Sequence, residues 1–338
     1  MKRLPLPDLL KGFAVFLIVP VHILETFIDY PGRETLFGKI LLFLGGPVAV
    51  PVFMMVMGYF MAKNRKSLQQ NVWRGIKVFI VGFLLNIGLN FHLLLKIRFA
   101  GWQIDPLEYI WGVDILYLAG LSLIFLSFLK LISRGKEWLA FVLVLAILGF
   151  TSFMNTEMMS IDRNYWMPFI AGTWSWSYFP LFPWLAYPLA GFAFFFFEER
   201  IMAFLKDQKW ISGLILSGIA ILVIVFSKWG YTKTIYLPDY YHHTFLFSLW
   251  ALGMIIIWAF LMRLIVQKIP ENPVVVFLRW LGNNITAFYI IQWLIIGNIA
   301  TAIYQTKPIS QYIFWFTGIF SITFLFTWLL SKTKIRLA

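Results

Sequence analysis

The chain has 338 residues, of which 61% are hydrophobic, 20% aromatic and only 13% charged, against about 25% charged in an average soluble domain. A formal net charge of +13 would suit a nucleic-acid binder, but the basic residues fall in short loops between apolar runs, the distribution of a polytopic membrane protein under the positive-inside rule. Cysteine is absent, which excludes disulfides, thiolate metal sites and a cysteine nucleophile.

A membrane-spanning helix needs about 20 mostly apolar residues. Ten stretches qualify: 9–28, 38–62, 76–95, 112–130, 137–154, 178–197, 210–227, 243–263, 275–300 and 310–331. The first follows Lys2 and Arg3 and ends in Glu25-Thr-Phe-Ile-Asp-Tyr without a small-x-small cleavage site, so it reads as a retained helix. With the N-terminus inside, 20 of the 28 Lys and Arg fall on inner segments and every inner loop is basic, as in Lys63, Arg65, Lys66, Arg74 and Lys77. Both termini are therefore expected to be cytoplasmic. Outer segments hold Arg33, Lys39, Lys96, Arg98, Arg163, Lys228, Lys233 and Lys307. No internal repeat and no soluble domain is visible. The expected fold is all-α: one membrane helix bundle over residues 1–338, about ten spans, in a cell membrane. Pro47, Pro51, Pro180, Pro183 and Pro188 interrupt apolar runs, and prolines in membrane helices often kink them around a cavity.

Polar groups inside these runs are the candidates for chemistry, because ionisable side chains in a bilayer are costly and usually face a cavity, a partner or a reaction path. Lys11 and His22 lie eleven residues apart in the first run, on one helix face and about 16 Å apart along the axis. His22 is either bonded to a neighbouring helix or a general base or nucleophile, since neutral imidazole takes up a proton near pH 7. Asp8 and Lys11 form an interfacial ion pair, or Lys11 faces a cytoplasmic anion. Arg74 and Lys77 share a helix face and either signal topology or make a basic mouth for a polyphosphate. Asp114 opens the fourth run as a helix cap or a substrate contact. Asn283, Asn284, Thr286 and Gln292 interrupt the ninth run, where amides stitch helices together or line a pocket. His92 is placed at the outer interface.

The outer loops carry Trp102, Trp111, Trp166 and Tyr178 among Asp, Asn and His, and Leu237-Pro-Asp-Tyr-Tyr-His-His places His242 and His243 at the mouth of the eighth run. These aromatics make an interfacial belt, a rim suited to sugar rings, or both. No ligand spacing supports a metal at the histidines. Phosphate-binding glycine loops, His-Glu-x-x-His and Gly-x-Ser-x-Gly are all missing.

Four stretches bear a family resemblance. Asp8-Leu-Leu-Lys-Gly-Phe-Ala followed by His22 resembles the first helix of the transmembrane acyltransferase superfamily, which includes polysaccharide O-acetyltransferases and heparan-α-glucosaminide N-acetyltransferase. Trp73-Arg-Gly-Ile-Lys-Val-Phe-Ile-Val-Gly82 looks like the family's third helix. Phe179-Pro-Leu-Phe-Pro-Trp-Leu-Ala-Tyr-Pro-Leu-Ala-Gly191 is similar to a stretch of the heparan-acetyltransferase branch and is the most specific of the four. Gly282-Asn-Asn-Ile-Thr-Ala-Phe-Tyr289 resembles the family's late Gly-x-x-Ser-x-x-x-Tyr helix. The likeness spans most of the chain. Two residues depart from it: Lys11 stands where relatives carry arginine, and Gln292 where many carry histidine, which leaves His22 as the only buried histidine for proton transfer.

The resemblance implies transfer of an acyl group, acetyl above all, from cytoplasmic acyl-CoA to a sugar or glycan hydroxyl or amine outside, as in polysaccharide modification. Lys11, Arg74, Lys77 and Arg279 would meet the phosphates of acetyl-CoA. His22 would act as base or acyl carrier, with Asn284 or Gln292 donating to the oxyanion. Asp114, Trp166, Trp184, His242 and His243 would contact the acceptor. No metal and no nucleic acid is expected; the bilayer is a partner, and the oligomeric state stays open, a homodimer included. The competing expectation is a transporter for a lipid-linked sugar or small metabolite, in which the same polar groups would line a permeation path.

Overall fold

The computed structural model describes residues 5–133, 136, 138–157 and 164–333. Lys2, Arg3, Arg134, Arg163, Lys334 and Arg336, all used above for topology, lie outside the described residues. The longer helices in chain order are α1 (Pro5–Phe27), α2 (Leu36–Gly45), α3 (Val50–Lys63), α4 (Leu68–Leu89), α5 (Phe91–Ala100), α6 (Ile115–Ile132), α7 (Trp138–Glu157), α8 (Ala186–Asp207), α9 (Lys209–Val225), α10 (Ser227–Ile235), α11 (Phe245–Lys268), α12 (Pro273–Asn283), α13 (Ile285–Ile303) and α14 (Tyr312–Ser331). Extended pairing among the described residues is confined to two isolated bridges, Ile28 with Lys307 and Val113 with Ser177. With no water in the bilayer to satisfy the backbone, helices are the form such apolar segments take.

The fold is a polytopic membrane helix bundle. Against ten expected spans, eight helices among the described residues are long and apolar enough to cross, or nine if α9 and α10, bent by 57°, form one span. The expected stretch 137–154 is α7. The expected stretch 275–300 is two helices rather than one. Its break falls at Asn284, whose backbone leaves helical geometry (φ −111°, ψ 17°) and whose side-chain amide donates to the Trp280 carbonyl at 2.9 Å. Asparagine offers the backbone this local alternative to helix continuation.

The chain divides into two units: Met1–Val50, Val81–Gly112 and Met262–Ala338 make the first, and Pro51–Ile80 with Val113–Leu261 the second. In the first unit α1 packs against α12 with almost no side-chain layer between them. A Cβ on Gly12 would lie 1.8 Å from the Leu278 carbonyl oxygen, and one on Gly282 would lie 1.9 Å from that of Asp8. Small residues at such crossings let membrane helices approach closely enough for dispersion to hold them together. At its other end α1 is tied by its backbone to the turn after α13: Gln305 and Lys307 donate to Thr26 and Phe27 carbonyls at 2.9 Å each, and Asp29 donates to Lys307 at 2.9 Å. The turn requires Gln305 to adopt a left-handed φ of 53°, uncommon outside glycine.

The second unit repeats the device. A Cβ on Gly58 of α3 would meet the Pro188 carbonyl oxygen at 1.8 Å, and one on Gly191 of α8 would meet that of Met55 at 1.8 Å. Met61, Leu126, Leu148, Leu189 and Phe192 fill the core beside this crossing. Lys130 of α6 turns its ammonium onto the C-terminal carbonyls of α3, donating to Met61 at 3.1 Å and Ala62 at 2.9 Å, where the helix dipole favours a cation.

Candidate functional site

α1 and α13 bring two sequence candidates together in the first unit. Gln292 Nε2 lies 3.1 Å from His22 Nδ1. Gln292 is buried to 2% exposure, while His22 is half-buried. The imidazole is flanked by two rings of α13: Trp293 at 4.2 Å between centroids with a 37° tilt, and Tyr289 edge-on at 6.2 Å. Residues 289, 292 and 293 are spaced three and four apart, so they project from one helix face. Gln292 Oε1 and Trp293 Nε1 are both buried without a hydrogen-bond partner. A buried polar atom left unsatisfied costs about 1–3 kcal/mol, so each of the two gains from a further partner.

The other end of α1 holds a charged pair. Lys11 Nζ sits 3.0 Å from Asp8 Oδ1, with the lysine side chain 18% exposed. Arg279 of α12 is half-buried, and its Nη1 makes a long 3.5 Å contact with the Pro270 carbonyl. The two glycine contacts put the Asp8–Gly12 and Leu278–Gly282 turns directly against each other. Lys11 and Arg279 therefore stand on touching turns, and their donors suit an anionic group. Asn284 is not brought to His22: it precedes Gln292 by eight residues, about 12 Å of helix.

In the second unit Arg74 and Lys77 are both exposed on α4, with Lys77 Nζ 5.8 Å from the Trp73 ring centroid. Asp114 caps α6, accepting from the Ile115 amide at 2.6 Å, and is half-buried. Trp166 is 71% exposed. Trp184 and His243 are interior. Trp184 is fully buried and its Nε1 donates to the Tyr241 carbonyl at 2.8 Å. The His243 ring meets the Tyr240 carbonyl through Nδ1 at 2.8 Å and the Tyr187 hydroxyl through Nε2 at 3.0 Å. A carbonyl only accepts, so Nδ1 carries the proton and Tyr187 donates to Nε2. Burial, the largest influence, pushes His243 down from 6.5 to about 3, offset by the Tyr240 carbonyl and reinforced by His242; burial likewise takes half-buried His242 to about 4. His22 is thus not the only buried histidine: His243 is the more enclosed of the two, with both ring nitrogens engaged. His92 is fixed in the first unit, its ring Nδ1 3.1 Å from the Asn298 carbonyl.

A family model described as an acyltransferase domain matches residues 5–332. The chain belongs to the acyltransferase-3 family. No curated protein and no solved structure matches this acyltransferase.

Acyl transfer calls for a proton acceptor and donors for an oxyanion, and a histidine in a spanning helix beside an amide and two aromatic rings has groups of both kinds. Sequence reasoning passed over Trp293 and Tyr289 because aromatics in an apolar run look like core. Their spacing from Gln292, at −3 and +1, was the available signal. Among the described residues no group of three or more His, Cys, Asp or Glu could hold a metal.

Proposed function

We propose that this acyltransferase moves an acyl group, acetyl above all, from cytoplasmic acyl-CoA to a hydroxyl or amine of a sugar or glycan outside the membrane. Both termini lie on the cytoplasmic side in this reading. The enzyme would stand with the heparan-α-glucosaminide N-acetyltransferase and polysaccharide O-acetyltransferase branches that its motifs resemble. The observation that carries the reading is the His22–Gln292 pair, held at 3.1 Å between two spanning helices in a chain of acyltransferase membership.

A neutral imidazole bears one N–H, and the contact can be made in two ways. With the amide nitrogen donating to Nδ1, the ring proton sits on Nε2 and Gln292 Oε1 is left without a partner. With the amide turned over, Nδ1–H donates to Oε1 and the Nε2 lone pair is open. Only the second arrangement leaves His22 able to take the acceptor's proton. With its oxygen turned to Nδ1, Gln292 is the residue that would hold the ring in that tautomer. Lys11 and Arg279 are the cations of the first unit suited to the donor's phosphates; Arg74 and Lys77 give the second unit an exposed basic edge of its own. Within the second unit, Trp166, Asp114 and His242 are accessible for contact with a sugar, whereas Trp184 and His243 serve its interior packing.

The test uses purified protein in lipid vesicles with radiolabelled acetyl-CoA and glucosamine. Label should pass to the sugar, and His22→Ala should lower the rate by about 10²–10⁴-fold, the worth of a positioned base. Undiminished transfer by the variant overturns the reading. Sugar movement without acetylation would favour transport instead.

A further inference from the structure

Building on the His22 reading, the first unit also assigns the group that receives the developing negative charge. The expected amides are committed elsewhere: Asn284 precedes Gln292 by about 12 Å of helix and its Nδ2 donates to the Trp280 carbonyl at 2.9 Å, while Gln292 lies 3.1 Å from His22 Nδ1, where it orients the ring. We propose that the indole N–H of Trp293 is the hydrogen-bond donor to the acyl carbonyl oxygen, and that Trp293 is a catalytic residue.

Three observations converge on it. Its ring lies 4.2 Å from that of His22, nearer than any other ring recorded against the imidazole. Its Nε1 is buried with no partner. Two buried indoles of the second unit do find one: Trp184 donates to Tyr241 at 2.8 Å and Trp250 to Val223 at 3.2 Å. Trp176 and Trp315 share the orphan nitrogen but stand beside Tyr165 and Phe27, not beside a base. The neighbouring Gln292, 2% exposed, keeps one end of its amide on His22 and leaves the other end buried without a partner. Trp293 and Gln292 of α13 thus bring an indole N–H and an amide beside the imidazole of α1. An indole N–H can only donate, so unlike an amide it cannot turn over and repel the oxygen.

The step is balanced without further reagents. The acceptor's oxygen or nitrogen attacks the thioester carbon and gives its proton to His22. The carbonyl π pair moves to oxygen, where Trp293 N–H holds it. The oxyanion collapses, the C–S bond breaks, and the departing CoA thiolate takes the proton back from the imidazolium.

Infrared difference spectroscopy on acetyl-CoA carrying a ¹³C carbonyl reads the bond directly. In the wild type the bound carbonyl stretch should fall below its solution frequency. In Trp293→Phe, which keeps a ring against His22, the downshift should vanish, and kcat with acetyl-CoA and glucosamine should fall by about 10²–10³-fold with KM little changed, the effect of losing one oxyanion donor. Should the phenylalanine variant misfold, benzothienylalanine at position 293 keeps the bicyclic shape and replaces only the N–H. A downshift that survives either substitution, or kcat within about threefold of wild type, overturns the proposal while leaving the His22 reading intact. Full activity in His22→Ala, or acetyl-CoA that does not bind, overturns that reading and this inference with it.

Discussion

Replacing Gln292 by methionine separates a positioning amide from a packing one. The two side chains are close in volume, so the substitution keeps the shape of the α1–α13 contact and deletes the polar atoms. For stability the terms oppose. The 3.1 Å contact with His22 is lost, and an interhelical polar contact in a membrane contributes about 0.6–2 kcal/mol. The amide's buried, partnerless end is removed as well, relieving about 1–3 kcal/mol, while His22 Nδ1 is left without its partner at a similar cost. The terms nearly cancel, and the variant should melt close to the wild-type temperature. For activity only one term operates. Without Gln292 nothing selects the tautomer that leaves Nε2 free, and losing an orienting hydrogen bond of about 1–3 kcal/mol lowers kcat by roughly 5- to 150-fold. A fall in kcat without a matching fall in stability is the diagnostic. The assay pairs thermal unfolding in nanodiscs with initial rates of acetyl transfer to glucosamine, separating kcat from KM. Gln292→His should recover part of kcat because imidazole offers both an N–H and a lone pair. A methionine variant that is fully active, or one that loses activity only by unfolding, refutes the assignment of Gln292 as the orienting residue.

Two further outcomes follow from the packing. Gly12→Ala puts a methyl group 1.8 Å from the Leu278 carbonyl oxygen, an overlap that α1 and α12 relieve only by separating; overpacking of this kind costs about 1–3 kcal/mol or more, and the melting temperature should drop clearly, whereas an unchanged value would mean the crossing is not close-packed. His243 links the second unit to pH: its value is pushed from 6.5 to about 3 by burial, so the unfolded chain binds the proton first and stability, full above about pH 6.5, is lost as pH falls towards 3. His243→Gln should flatten that decline between pH 7 and pH 5 relative to wild type; equal slopes would show that His243 does not carry it.

The helical fold was legible from composition and from the lengths of apolar runs, because a bilayer leaves the backbone few options. What the sequence concealed was where helices break. The 275–300 run looked continuous since Asn284 is a tolerated residue in an apolar helix; only the amide's return to the Trp280 carbonyl decides that the chain bends there. His22 was legible as an ionisable group out of place, and Gln292 as an amide at depth, but their meeting depends on the rotation of α13 against α1, which no local pattern specifies. The burial of His243 was concealed for a related reason. A histidine pair beside prolines and tyrosines reads as a loop mouth, yet the aromatic residues of the Phe179–Gly191 stretch fold over it and supply its partner, Tyr187. That stretch was the most specific family signature in the chain, and its conspicuous Trp184 is a packing residue, fully buried.

The spacing along α1 ties the two ends of the proposed site to one donor. From the pyrophosphate to the sulfur, the pantetheine arm of CoA is a chain of about twelve bonds; at three bonds per roughly 3.5 Å of extended chain, it reaches about 14–15 Å. Lys11 and His22 are separated by about 16 Å of helix rise on a single element that runs unbroken from Pro5 to Phe27. A donor whose phosphates rest at Lys11 and Arg279 would carry its thioester to the level of His22 and no farther. An acyl group on a shorter carrier would fall short of the imidazole, and a free carboxylic acid would have nothing to hold it there. The close glycine crossing at Gly12 and Gly282 fixes one end of this ruler and the backbone ties at Thr26 and Phe27 fix the other, so the distance is a property of the fold rather than of flexible side chains. On the proposed reading, a preference for a CoA-linked donor would follow from where two residues stand on one helix, and the same helix would bring the activated carbon to the base.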